Sequence, residues 1–333
     1  MDPVLEVKDL KVGVDTGKSV QSVLDGVSLR LFPGKTLGVV GESGCGKSMT
    51  ALATMGLLPD RFAVTGGSIT LAGEDLLAAK PSRLRQLRGN AMSMIFQEPM
   101  TALNPVLTVE RQITEVIELH QKKSSAEARE IALEMLRAVQ IPGPEDRLAA
   151  YPHELSGGMR QRVMIAIALA CRPKVIIADE PTTALDVTVQ AQIFRLLRDL
   201  QMQTDTAIML ITHDLGAVAE MADDVAVLYA GKCVESGTVE AILGAPAHPY
   251  TRGLMSCTPR LRLGAAANDP QAEGLGEIPG MVPPLGRFPK ACRFAPRCAL
   301  ADDRCHTDTP PTYETAPGHS ALCWKPTAEK AVA

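Results

Sequence analysis

The sequence predicts an α/β fold built on a parallel sheet, and three observations carry that prediction. The octapeptide Gly41-Glu-Ser-Gly-Cys-Gly-Lys47-Ser48 fits the phosphate-loop pattern G-x-x-x-x-G-K-[S/T], with a buried-strand pattern before it (Lys35–Val40) and a helical one after it (Ser48–Met55). Val175-Ile-Ile-Ala-Asp179-Glu180 and Ala207–Thr212 are further apolar runs of strand length, each leading into polar residues. Residues 4–12 and 20–31 instead alternate apolar and polar positions, as half-buried antiparallel strands do. An antiparallel β subdomain therefore accompanies the parallel sheet.

The chain has 333 residues and 46% apolar composition, enough for a sizeable core and two domains. A net charge of −4 offers no basic field for nucleic acid. The first residues, Met-Asp-Pro-Val-Leu-Glu, lack the basic and apolar regions of a signal peptide. The longest apolar run, Val163–Cys171, has nine residues, well short of a membrane span. These features point to a cytoplasmic protein, where eight cysteines serve as thiols or metal ligands rather than disulfides.

Within the phosphate loop, Gly41, Gly44 and Gly46 allow the positive φ angles that a phosphate-wrapping turn needs. The N–H groups of Glu42, Ser43, Cys45 and their neighbours, through Met49, then converge on an anion at the helix N-terminus. Lys47 can reach β- and γ-phosphates, and the Ser48 hydroxyl can ligate Mg²⁺. The segment Gly66–Gly73 reads as a short strand, and Pro81–Arg88 as a basic, solvated helix. Ala91–Phe96 is another strand, delivering Gln97, a residue type able to coordinate Mg²⁺ or water. Helical periodicity over 108–140 ends at Ile141-Pro-Gly-Pro144.

Leu155-Ser-Gly-Gly-Met-Arg-Gln-Arg162 opens a helix behind the N-cap Ser156, and Gly157 and Gly158 make it a second anion cradle or a plain capped helix. Asp179 suits the Mg²⁺ shell, and Glu180 suits a general base for water. After Thr183-Ala-Leu-Asp186 and a helix over 187–201, the strand Ala207–Thr212 presents His213 beside the other strand ends. Residues 225–236 read as a hairpin around Ala230-Gly231-Lys232.

In this order, the motifs resemble those of the ABC-type ATPases, across residues 4–240. Gly41–Ser48 is similar to their Walker A loop, Gln97 to the Q-loop and Leu155–Arg162 to the signature sequence. Val175–Glu180 is similar to the Walker B strand, Ala184-Leu-Asp186 to the D-loop and His213 to the switch histidine. The resemblance implies a P-loop NTPase core (1–97 and 155–244) and a helical subdomain (98–154) that receives a membrane subunit near Gln97. It implies that Lys47, Ser48, Gln97 and Asp179 hold phosphates, Mg²⁺ and water. Glu180 would polarise the water and His213 would touch the γ-phosphate. Ser156, Gly157 and Gly158 would serve a partner's ATP across a head-to-tail dimer. One departure concerns the base: such ATPases stack adenine on an N-terminal aromatic, whereas no Phe, Tyr or Trp precedes Phe32 and Val14 stands near the expected place.

Residues 245–333 hold 13 of the 24 prolines and read as an irregular extension. His248–Met255 and Ile278–Leu285 resemble the C-terminal extension of oligopeptide and dipeptide importer ATPases. Four cysteines follow, Cys292-x₅-Cys298-x₆-Cys305-x₁₇-Cys323, in a segment too poor in apolar residues to fold alone. Four thiolates around a metal would supply the missing core. Zinc sites favour close Cys-x₂₋₄-Cys pairs, so these spacings suit an iron–sulfur cluster better, with zinc and free thiols as the alternatives. The resemblance points to [4Fe–4S] as well. It implies a peripheral subunit on the cytoplasmic face of the inner membrane, working with a second, non-identical ATPase, two permease subunits and an extracytoplasmic binding protein. A nickel, glutathione or other small-solute importer is the nearest alternative reading. A soluble ABC ATPase is a more distant one.

Overall fold

The computed structural model describes residues 2–182, 187–257 and 276–326. A four-stranded antiparallel sheet is formed by β1 (Leu5–Asp15), β2 (Val20–Leu31), β4 (Phe62–Leu71) and β5 (Glu74–Asp75), in the order β2-β1-β4-β5. The larger sheet contains β3 (Thr36–Val40), β6 (Met92–Ile95), β7 (Val175–Asp179), β8 (Ala207–Thr212), β9 (Asp224–Tyr229) and β10 (Lys232–Thr238). Strands β11 (Thr312–Ala316) and β12 (His319–Leu322) complete it, in the order β11-β12-β10-β9-β3-β8-β7-β6. Its β9-β3-β8-β7-β6 portion is parallel, and β10, β12 and β11 add antiparallel strands at one edge.

The continuous apolar runs of the parallel strands follow from burial on both faces. Along β7 and β8, Val175, Ile177, Ala207, Met209 and Ile211 face the antiparallel sheet and the helix Lys47–Met55. The alternate residues Ile176, Ala178, Ile208 and Leu210 face the helical side, as the two-residue strand period requires. The antiparallel strands cover one face only and keep their alternation. Strand β4 begins four residues before the predicted one. Gly66-Gly67, which reads as a turn, lies opposite a bulge in β1, where Asp9 and Gly67 both take positive φ.

The predicted helical stretch 108–140 is two helices, Val109–Gln121 and Ser125–Ala138, capped by Thr108 and by a Ser124/Glu127 capping box. Their apolar stripes (Ile113, Ile117, Ala128, Leu136) join one core with Val163, Ile165 and Ile193. Among the described residues, no helix is long and apolar enough to cross a membrane.

The extension, expected to be irregular, carries two paired strands, β11 and β12. Among the described residues, no three His, Cys, Asp or Glu side chains are grouped to hold a metal ion. The extension has no self-sufficient core because it shares that of the sheet. Strand β12 pairs with β10, Glu235 opposite Ala321 and Ser236 opposite Ser320. Tyr229 of β9 packs tilted against Tyr250 and edge-on against Phe294 at ring distances of 4.6 and 5.2 Å, contacts worth about 0.5–1.5 kcal/mol each beyond their buried area. The fully buried Glu235 carboxylate accepts the N–H groups of Ala247 (2.6 Å) and His248 (2.9 Å) and lies 2.7 Å from His319 Nε2. Sequence spacing alone carries no sign of such long-range docking.

His248 Nδ1 caps the helix Pro249–Ser256 by accepting the Tyr250 N–H at 3.0 Å, a role that needs the neutral ring. Burial, aided by Arg252, pushes its pKa down from 6.5 to about 3. A depressed folded pKa means that the folded state binds fewer protons, so stability is full above pH 6.5 and declines as pH falls toward 3. The expected slope is about 1.4 kcal/mol per pH unit. His248→Asn, which keeps a capping acceptor but cannot titrate, should flatten it in urea unfolding measured between pH 7 and 5.

Candidate active site

Four elements bring their ends to one edge of the parallel sheet. The end of β3 enters the phosphate loop at Gly41, whose φ is 152°; an added Cβ there would collide with the Leu228 carbonyl oxygen and the Cys45 sulfur. Gly46, at φ 109°, starts the helix Lys47–Met55. Lys47 is buried, its Nζ donating to the carbonyls of Gly41 (2.7 Å) and Glu42 (3.1 Å), so the ammonium already sits over the loop. Ser43, Gly44 and Ser48 are exposed along the loop, and Met49 packs partly against the core. The Cys45 side chain is buried among core residues, and burial raises its thiol pKa. Only its backbone is left to the loop.

From the neighbouring strand ends come the acidic groups. The Ser48 hydroxyl donates to Asp179 Oδ1 at 3.2 Å, a pair of hard oxygen donors that suits Mg²⁺. Burial raises the Asp179 pKa, opposed by the Ser48 hydrogen bond and reinforced by neighbouring Glu180. Cation binding would restore its charged form. Glu180 follows β7 at φ 47°, in the left-handed region, with its N–H donating to Ile211 O at 2.9 Å. Gln97 Nε2 donates to Glu180 Oε2 at 2.8 Å, and His213 Nδ1 lies 3.3 Å from Glu180 Oε1. Three adjacent strand ends thus meet on one carboxylate. Gln97, expected also at the metal, here engages Glu180 instead.

Ser156 caps the helix Gly157–Leu169, its Oγ accepting the Met159 N–H at 3.3 Å. Ser156 and Gly157 are exposed, and an added Cβ at Gly157 would meet nothing within 4 Å. Buried Gln161, one turn on, donates to the carbonyl of Pro181, the residue after Glu180. The helix that begins at Ser156 is therefore tied to the segment that follows β7. Residues Thr183–Asp186, which carry the D-loop motif, lie outside the described residues. Val14 pairs in register with Phe62 of β4, so a ring absent from the N-terminal segment stands on the neighbouring strand.

One feature was not legible in the sequence. The loop residue Glu42 is held by the extension: its carboxylate takes Arg297 Nη1 at 2.7 Å and Nη2 at 3.0 Å, and its N–H donates to the Tyr250 hydroxyl at 2.9 Å. The four cysteines of the extension, Cys292, Cys298, Cys305 and Cys323, line one small cavity with His248, Phe294, Trp324 and Lys325. Burial raises the thiol pKa values of Cys292, Cys298 and Cys323, with thiolates of neighbouring cysteines adding to each rise.

A phosphate loop, a strand-end carboxylate pair and a second, outward-facing Ser-Gly-Gly define the ATP-binding cassette class. Comparison with known proteins agrees. Residues 24–183 match the family described as ABC transporter, and residues 234–305 match the oligopeptide/dipeptide transporter C-terminal region. The chain is 51% identical to a probable peptide ABC transporter ATP-binding protein, y4tR, of Sinorhizobium fredii, over 97% of this chain and 95% of that protein. It is 48% identical to the oligopeptide transport ATP-binding protein OppD of Escherichia coli, over 98% of this chain and 95% of that one. Among solved structures, the dimeric post-hydrolysis cassette MJ0796 bound to ADP and Pi matches with a TM-score of 0.64 at 26% identity, covering 71% of this chain and 98% of that one. The chain belongs to the ABC transporter ATP-binding proteins, in the oligopeptide/dipeptide branch, and is an ATPase.

The two glycine environments predict opposite outcomes. Gly41→Ala must push against backbone at a positive φ and should lose about 1–3 kcal/mol of stability, together with nucleotide binding. Gly157→Ala should leave the thermal midpoint unchanged. Calorimetry and nucleotide titration of both variants check this.

Proposed function

We propose that this chain is the ATP-hydrolysing subunit that energises import of di- and oligopeptides through a multi-subunit transporter. The observation that carries the reading is the Glu180 carboxylate, held between Gln97 and His213 and next to the Ser48–Asp179 pair. The names of the relatives, peptide and oligopeptide transport ATP-binding proteins, support the substrate class.

In this reading Lys47 exchanges the Gly41 and Glu42 carbonyls for β- and γ-phosphate oxygens, while loop N–H groups cradle the phosphates. Ser48 and Asp179 hold Mg²⁺, which supplies charge neutralisation to the phosphates when bound. Glu180 takes the proton of the attacking water as the γ-phosphoryl group leaves ADP; Gln97 and His213 fix its two oxygens. Ser156, Gly157 and Gly158 complete the ATP site of a second ATPase subunit, for which we infer a related, non-identical chain. The exposure of Ser156 and Gly157 supports that role. Two permease subunits, contacted near Gln97, and an extracytoplasmic binding protein would complete the assembly, with this chain peripheral on the cytoplasmic face of the inner membrane. The core 1–97 and 155–244, the helical segment 98–154 and the extension 245–333 are its working divisions.

Glu180→Gln keeps the hydrogen-bonding shape without the base. It should lower turnover about 10²–10⁴-fold and leave ATP-bound dimers visible by size-exclusion chromatography. Wild-type turnover in that variant would remove Glu180 as base. In the assembled transporter, peptide with its binding protein should stimulate ATP hydrolysis, whereas nickel or glutathione should not.

We further propose that Cys292, Cys298, Cys305 and Cys323 ligate a [4Fe–4S] cluster, with zinc as the alternative occupant. Support comes from the donor set: four thiols, all lining one cavity. Its role there is structural, joining β12 to the segment 292–305. Anaerobically purified protein should contain about four irons per chain, and Cys298→Ser should lose them; iron-free protein with one zinc would select the alternative.

A further inference from the structure

We propose that Arg297 is a positioning residue for the phosphate loop, and that it acts through Glu42 to set how tightly Gly41–Ser48 holds nucleotide. The inference rests on the reading of that loop as the ATP site.

Glu42 is fixed on every side. Its carboxylate receives both terminal nitrogens of Arg297, its N–H is held by Tyr250, and its carbonyl carries the Lys47 ammonium. The residue that seats the phosphate-binding lysine is therefore the one that the C-terminal extension grips. Arg297 is itself immobilised, its side chain only 5% exposed. It donates further to the carbonyls of Pro279 (2.7 Å), Ile278 (3.2 Å) and Gly280 (3.2 Å) and lies 3.4 Å from the Tyr229 hydroxyl. A planar fork with its donors committed fixes direction as well as distance, which a lysine could not do.

A second arginine of the same segment braces the back of the loop. Arg293 donates to the Ala230 carbonyl and to Asp25 Oδ2 at 2.8 Å. The next residue, Gly231, donates its N–H to the Cys45 carbonyl at 2.8 Å. Residues 293–297 thus support the loop at both Glu42 and Cys45, while the cysteines that bracket them, Cys292 and Cys298, line the cavity. A purely stabilising pair could sit anywhere in the fold. This one joins the extension to the phosphate-holding turn, so ordering the one orders the other. Linkage then requires the reverse effect: bound nucleotide must stabilise residues 278–298.

The test is a double-mutant cycle on the full chain, with Arg297→Lys, Glu42→Gln and the double variant, read as the Kd of a fluorescent ATP analogue. Each single change should raise Kd about tenfold, and the double should be no weaker than the worse single. In the assembled transporter, KM for ATP should rise while kcat at saturation changes less than twofold. Wild-type chain, which needs no variant to fold, should show slower hydrogen exchange over 278–298 when ATP is added. Unchanged Kd in both singles, multiplying effects in the double, or exchange indifferent to ATP would each overturn the proposal. Lys47→Ala separates the two readings: if it binds the analogue as wild type does, the loop is not the nucleotide site and the underlying assignment fails instead.

Discussion

A turn that offers N–H groups to phosphate has few left to brace itself: here the Glu42 N–H goes to the Tyr250 hydroxyl and the Cys45 N–H to the Glu42 carbonyl. Everything around Gly41–Ser48 answers that constraint from outside. Strand β3 enters it from the middle of the parallel sheet, the Leu228 carbonyl and Cys45 sulfur close off any Cβ at Gly41, and Lys47 spans the turn. Arg297 and Tyr250, more than two hundred residues away in the chain, hold Glu42. Rigidity here is a form of preorganisation, since backbone dipoles already aimed at an anion need no rearrangement when charge arrives.

The same logic explains the grouping of strand ends. In parallel sheets the C-terminal ends lie side by side, so Gln97, Glu180 and His213 become neighbours through β6, β7 and β8 without any local motif. Glu180 adopts a left-handed φ at its strand end, and Gln161 ties the following residue to the helix that begins at Ser156. One hydrogen bond thus links the end of β7 to the exposed start of that helix.

Much of this was legible because its signals are local. Apolar runs of strand length, a glycine-rich octapeptide and carboxylates at a run's end mark β3, β7, the phosphate loop and Asp179-Glu180 directly in the sequence. The start of β4 was missed because a bulge and a turn both call for glycine. The extension was misjudged for a different reason. Its missing core lies in β9 and β10, and neither the Tyr229–Tyr250–Phe294 packing nor the Arg297–Glu42 pair leaves any periodic trace. The four cysteines were visible by spacing, and they do share a cavity. The inference that they must replace a core was not sound, because the sheet already provides one.

Strand β12 has a consequence for how this chain can be divided. It pairs with β10 at what would otherwise be a free margin of the large sheet. A chain shortened before residue 245 would bare the backbone N–H and C=O groups of Glu235 and Ser236 as a template for sticky self-association. It would also leave the Glu235 carboxylate buried without the N–H groups of Ala247 and His248. The ATPase core and its tail are therefore one folding unit.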